Sequence, residues 1–286
     1  MVKVQSIAWM GKINFVNVYT LLLWLYVLRN AVVLGYDRSM IIETEVLLMG
    51  TIVFFFAGLT QGLTGFGFGL VAVPILGFII SPKMIAPMVV IYTSFTNLLV
   101  LNNAKAHLNI RRIYVLTTAG VLTIPLGTWM ISYMTPDHLR LFIGFAVTIS
   151  AILMSAGIRL KIVRERLASA VVGVVSGILS GSIAIGGPPV ILFFSNQEVP
   201  REEFRANIAA YFFPISLAAN VSFYFAGLLT LETVLYALWF VPALVLGVAI
   251  GNKYNNLLSE IIYRRVALIV VFFAGILSIL NGAGVL

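Results

Sequence analysis

The chain has 286 residues, 61% of them hydrophobic and 10% charged, with a net charge of +8. Soluble domains carry about 25% charged residues; with a mean hydropathy of +1.07, this composition describes a polytopic membrane protein with little room for a domain outside the bilayer. There is no cysteine, which excludes disulfides, cysteine-ligated zinc and thiol chemistry.

Other chemistries are also missing. The two histidines, His107 and His138, lie near segment ends and far apart. No HExxH, GxSxG or Walker pattern occurs. No enzymatic activity, metal or cofactor is therefore expected. The basic residues sit in short loops between apolar segments, where they read as orientation signals rather than as a nucleic-acid surface.

The first element, in chain order, begins after Lys3 and Lys12 with the apolar run Phe15–Leu28. A signal peptide is the competing reading, but Arg29-Asn30 follows in place of a small-x-small cleavage site. An uncleaved helix over 14–35 is expected. Further apolar segments follow at 45–80, 84–104, 113–134, 138–158, 166–195, 206–228, 232–251 and 262–283. A spanning helix needs about 20 residues, so 45–80 and 166–195 are too long for one ordinary crossing. Each reads as a long tilted helix or as two limbs joined at a break.

Those two segments carry one motif twice. The first copy runs from Gly58 through Gln61, Gly62, Thr64, Gly65, Gly67 and Gly69 to Pro74. The second runs from Gly177 through Ser180, Gly181, Ser182, Gly186 and Gly187 to Pro188-Pro189. Gly58 falls on Gly177, Gln61 on Ser180, Gly62 on Gly181 and Gly67 on Gly186. Outside the motif, Ser81-Pro82 pairs with Val199-Pro200, and Leu126-Gly127 with Leu246-Gly247. Irregular backbone at membrane depth survives only where protein or water covers it. Paired Gly/Pro interruptions in two halves point to a transporter's binding site.

Charge sets the orientation. The loops bearing Lys105, Arg111 and Arg112, and Arg159, Lys161, Arg164 and Arg166, are separated by two crossings, so both fit the cytoplasmic side. If 166–195 returns to its own side, Arg201, Arg205, Lys253, Arg264 and Arg265 are cytoplasmic as well. The same treatment of 45–80 puts Glu43 and Glu45 outside and leaves Lys83 as the one misfit. The expected fold is therefore an all-α polytopic membrane protein of two inverted repeats. Each repeat is a Gly/Pro-broken helical hairpin plus three transmembrane helices, and one extra helix precedes them. The expected divisions are 1–44, 45–158 and 159–286.

A helix that starts within the membrane presents unpaired N–H groups and the positive end of its dipole, which favours anions. Gly65–Gly69 and Gly186-Gly187 are the expected breaks, with Pro188 opening the second limb. Candidate substrate-binding residues are Gln61, Thr64, Gly65, Gly67, Ser180, Ser182, Gly186 and Gly187. Asn97 and Asn220, on corresponding helices, join them, as does Arg205 at the start of its helix. Small-xxx-small spacing at Gly58/Gly62, Gly173/Gly177/Gly181 and Gly247/Gly251 also suits plain helix packing. The asparagines also suit helix–helix hydrogen bonding. No Asp or Glu lies deep in any expected helix, which argues against a carboxylate proton relay.

The doubled motif, Gln-Gly-Leu-Thr-Gly-Phe-Gly at 61–67 and Ser-Gly-x5-Gly-Gly-Pro-Pro at 180–189, resembles the sulfite exporter TauE/SafE family over residues 45–283. The resemblance implies a transporter of sulfite, sulfoacetate or related organosulfonates, in many cases outward. It departs from the family at Ala184, where members often carry glycine, and in the extra N-terminal helix. On this analogy the chain sits as a multi-pass protein in the bacterial inner membrane. It exports a small sulfur-containing anion by alternating access, with the anion bound at the midplane between the two breaks. Ion-coupled uptake and an anion channel are the rivals. The partners are the small anion and the lipid bilayer, with no nucleic acid; a homodimer is compatible with the sequence.

Overall fold

The computed structural model describes residues 44–156, 164–197, 200–254 and 260–285. The chain forms two compact units, Met1–Leu47 and Leu48–Leu286. Of the first, only Thr44–Leu47 are described, so the helix expected at 14–35 lies outside the described residues.

Every described element is helical. In order they are α1 (Thr44–Thr64), α2 (Phe68–Leu76), α3 (Pro82–Ala104), a 3-10 turn (Lys105–His107), α4 (Ile110–Tyr133), α5 (Pro136–Ala156), α6 (Glu165–Ile183), α7 (Gly187–Ser195), α8 (Arg201–Phe225), α9 (Leu231–Tyr254) and α10 (Glu260–Gly282). Backbone groups in hydrocarbon must find partners within the segment, so long apolar runs fold as helices and end where polar or Gly/Pro residues gather. α3 and α5 open on proline, whose missing N–H is harmless in a first turn. Two residues past the end of α8 stands Gly227, with φ of 70°, the left-handed residue that commonly follows a helix.

Among the described residues, seven helices are long and apolar enough to cross a membrane. They include α1 and α6, the first limbs of the two broken segments. The segments 45–80 and 166–195 are thus each a pair of limbs, but an unequal pair. The first limbs have 21 and 19 residues and the second limbs nine each. The cause is the late position of the glycine cluster within each apolar run.

Glycines set the helix pairing. Gly58 of α1 meets Leu244 and Val248 of α9, and Gly62 meets Val248 and Gly251, so the two helices run parallel in close contact. α4 and α6 do the same: Gly120 meets Gly173, and Gly127 meets Ile178, Gly181 and Ser182. α5 packs antiparallel on α10, where Gly144 meets Gly275 and Ile279, and Gly282 meets Asp137 and Leu141. α3 lies antiparallel to α8: Asn220 reaches Ser94, and Asn207 reaches Asn109 just beyond α3. Small residues are what allow backbones to approach this closely in lipid.

Polar contacts mark the two ends of this bundle. At one end His107 pairs with Glu202 at 3.0 Å, Arg112 with Glu203 at 3.3 Å, and Gln197 Nε2 donates to Glu165 at 3.0 Å. At the other, Lys83 Nζ donates to the Ser132 carbonyl at 2.9 Å and Arg140 Nε to the Gly77 carbonyl at 3.1 Å.

Candidate functional site

The first break is Gly65–Gly67. Gly65 and Gly67 have φ of 82° and 95°, in the left-handed region that costs glycine nothing. Gln61, a turn earlier in α1, straps the break: its Nε2 donates to the Gly65 carbonyl at 3.3 Å and its Oε1 accepts from Phe68 N at 3.4 Å. Thr64 Oγ1 lies 2.8 Å from the Thr60 carbonyl oxygen and accepts from Phe66 N at 3.3 Å. Behind the start of α2, Phe54, Phe68, Tyr92 and Phe240 form a buried aromatic cluster with ring centroids 4.8–5.8 Å apart. That cluster fixes where α2 begins.

The second break is Ala184–Gly186, one to two residues earlier than glycine content alone suggests. Ala184 caps α6 with φ of 57°, the one described non-glycine residue with positive φ. Ser176 Oγ donates to the Gly186 carbonyl at 2.6 Å and holds the break from behind. α7 then starts at Gly187 with prolines in its first turn, as expected.

The first turn of α2 touches the second break. A methyl group placed on Gly69 would run into the Ala184 carbonyl oxygen, so only glycine permits this approach. Between them lies a cavity of about 70 Å³. A water molecule needs about 10–15 Å³ by the same measure, so a small oxyanion fits. The N-termini of α2 and α7 both open on it, and α3 and α8 supply its sides.

Of the candidate residues, the structure brings seven to this cavity: Gln61, Gly65, Gly67, Asn97, Ser180, Gly186 and Gly187. Asn97 and Ser180 are only 3% and 5% exposed, and neither side chain hydrogen-bonds to another described residue. Asn97 lines the cavity, and the cavity is the space into which its amide can bond.

The other four stand apart from the lining. Thr64 bonds within the break. Ser182 is fully buried on the α4 side of α6, with its hydroxyl on the Ile178 carbonyl at 2.7 Å. Asn220 donates to Ser94 Oγ at 2.9 Å, a bond between α8 and α3. Arg205 approaches Gly65, where an added methyl would lie 3.6 Å from its Nε. Sequence reasoning missed two lining hydroxyls, Thr93 and Ser216. Each stands four residues before an asparagine, Asn97 or Asn220, and so shares its helix face.

Among the described residues that line it, none is Asp, Glu, Lys, Arg or His. The polarity comes from amides, hydroxyls and two helix ends. These ends differ as donors. Gly69 and Leu70 sit in the unpaired first turn of α2, whereas Pro188 and Pro189 remove two N–H groups from α7. A positive dipole end is common to both.

The profile of the sulfite exporter TauE/SafE family matches residues 50–278. Among curated proteins, the chain is 24% identical over 215 residues to the "Probable sulfite/organosulfonate exporter TauE" of Cupriavidus necator, covering 72% of this chain and 83% of that protein. No solved structure matches. The chain belongs to the sulfite exporter TauE/SafE family, and it is a multi-pass membrane protein of the exporter type.

Proposed function

We propose that this member of the family exports small sulfur-containing anions (sulfite, sulfoacetate or a related organosulfonate) across a bacterial inner membrane by alternating access. The anion binds between the two broken-helix tips, at Gln61, Asn97, Ser180 and the backbone of Gly65, Gly67, Gly186 and Gly187. The observation that carries this reading is the meeting of both breaks at one cavity, where the buried Asn97 amide has no partner among the described residues. Arg205, beside Gly65, then stands on the approach to the site rather than within it.

The helix pairing supports two inverted repeats, 45–158 and 159–286. Exchanging the halves turns α1 beside α9 into α6 beside α4, and maps the α5–α10 and α3–α8 pairs onto themselves. The second hairpin returns to the end it starts from, where Gln197 meets Glu165. The first reaches the opposite end, where Gly77 meets Arg140. An interface related in this way has two equivalent arrangements, one facing each side, which is the basis of alternating access. An anion leaving a negative-inside cell gains about 2.3 kcal/mol per charge per 100 mV, enough to drive export without a coupling ion.

Gly187 offers the cleanest test. Among the described residues a methyl there meets only Ile191 Cδ1, at 3.5 Å, and the backbone is unstrained. Gly186 is unsuitable, because a methyl there would lie 2.5 Å from the Ser176 carbonyl oxygen. Gly187→Leu should fill the cavity, abolish sulfite efflux from proteoliposomes and leave the unfolding temperature unchanged. Normal efflux by Gly187→Leu would sink the site assignment.

A further inference from the structure

We infer that the cavity selects anions of single negative charge, over dianions and over neutral molecules of the same shape. This rests on the reading of the cavity as the anion site. Its described lining residues carry no formal charge, and Arg205 stands behind one of them, Gly65, rather than in the lining. What attracts an anion is a set of fixed dipoles: the starts of α2 and α7, the Asn97 amide and the Ser180 hydroxyl.

The selection follows from how two energies scale with charge. Attraction to fixed dipoles grows linearly with the charge of the ligand. The cost of removing an ion from water grows with the square of its charge. Doubling the charge therefore doubles the gain and quadruples the cost. A neutral ligand avoids the cost and also forgoes the gain. A site with a lysine or arginine in its wall would move the optimum toward dianions; among the described residues this wall has neither. Donor supply points the same way. Pro188 and Pro189 silence most of the first turn of α7, which leaves α2 and Asn97 to hold one set of oxygens. For sulfite, the bound species is then the hydrogensulfite ion; among the organosulfonates proposed above, those without a second acidic group are favoured, and sulfoacetate, whose carboxylate adds a second charge, is disfavoured.

Three tetrahedral sulfur compounds of similar size separate charge from shape: methanesulfonate, sulfate and dimethyl sulfone. With the detergent-purified full chain, calorimetry should show methanesulfonate binding at least tenfold more tightly than sulfate or dimethyl sulfone. Sulfate binding as tightly as methanesulfonate overturns the charge inference while leaving the site in place. Asn97→Ala separates the two readings. It should weaken methanesulfonate at least tenfold, and unchanged affinity in this variant would mean that the anion binds elsewhere and that the proposed site is wrong. If none of the three compounds binds the wild-type chain, both readings fall.

Discussion

At the scale of single residues, Ala184 is where the local rules are broken. It holds φ of 57° at the end of α6, a conformation that costs a non-glycine residue roughly 1–2 kcal/mol. The second break could not form without some residue in this region, since it ends α6 and turns the chain toward α7. Glycine would relieve the strain but lose about 0.5–1 kcal/mol to the entropy of the unfolded chain. Ala184→Gly should therefore raise stability by up to about 1 kcal/mol, read as a higher unfolding temperature in detergent, and lower stability would contradict the strain. The asparagines show what was legible at this scale. Their polarity inside apolar runs marked Asn97 and Asn220 for notice, on corresponding helices. Nothing in the sequence distinguishes an amide that ties α8 to α3, as Asn220 does, from one that lines a cavity, as Asn97 does. That depends on how each helix is rotated in the packed bundle. Thr93 and Ser216 gave less signal still, because a hydroxyl can always bond its own helix backbone, and both do.

At the scale of elements, the glycines divide into two groups that share one sequence pattern. Gly65 and Gly67 need left-handed backbone and shape the break. Gly58, Gly62, Gly177 and Gly181 have ordinary backbone and no space beyond it, because a facing helix occupies the place of a side chain. Spacing alone could not separate these roles, since small-xxx-small patterns serve both packing and irregular turns. The breaks themselves were legible from glycine density, and so was the opening of α7, because proline is harmless only in a first turn. The inequality of the limbs was not, because an apolar run has no internal mark of membrane depth. The packing role yields a contrast with Gly187. A methyl on Gly62 would lie 2.5 Å from the Val248 carbonyl oxygen and 2.9 Å from Asn252 N, both backbone atoms that cannot swing away. Overpacking of this kind costs about 1–3 kcal/mol. Gly62→Ala should lower the unfolding temperature, whereas Gly187→Ala should not; equal stability of the two variants would remove the distinction.

At the scale of the whole molecule, the question is which way the two hairpins enter. The basic loops offer an expectation, and the contacts show which residues share an end of the bundle. His107, Arg112, Glu165, Gln197, Glu202 and Glu203 gather at one end, and these belong to the loops that the positive-inside rule assigns to the cytoplasm. Lys83, which that rule could not accommodate, lies at the other end with its ammonium group on the Ser132 carbonyl in the last turn of α4. Cations are favoured at helix C-termini, so this lysine has a local reason to be there and carries no orientation signal. The arrangement can be tested directly, because the chain contains no cysteine and each introduced thiol is the only one present. Ala106, Arg164, Ser81 and Ala226 are exposed in the bundle, and Asn196 is partly so. Cysteines at 106, 164 and 196 should react with a membrane-impermeant maleimide only from the cytoplasmic side, and those at 81 and 226 only from outside. The informative pair is 164 and 196, which flank the second hairpin. Were α6 and α7 a single crossing, the two would label from opposite faces, Ala226→Cys would become cytoplasmic, and the halves would lose their opposite orientation. Labelling of 164 and 196 from the same face leaves a chain that enters the membrane from each side with one broken hairpin and brings both breaks to a shared cavity.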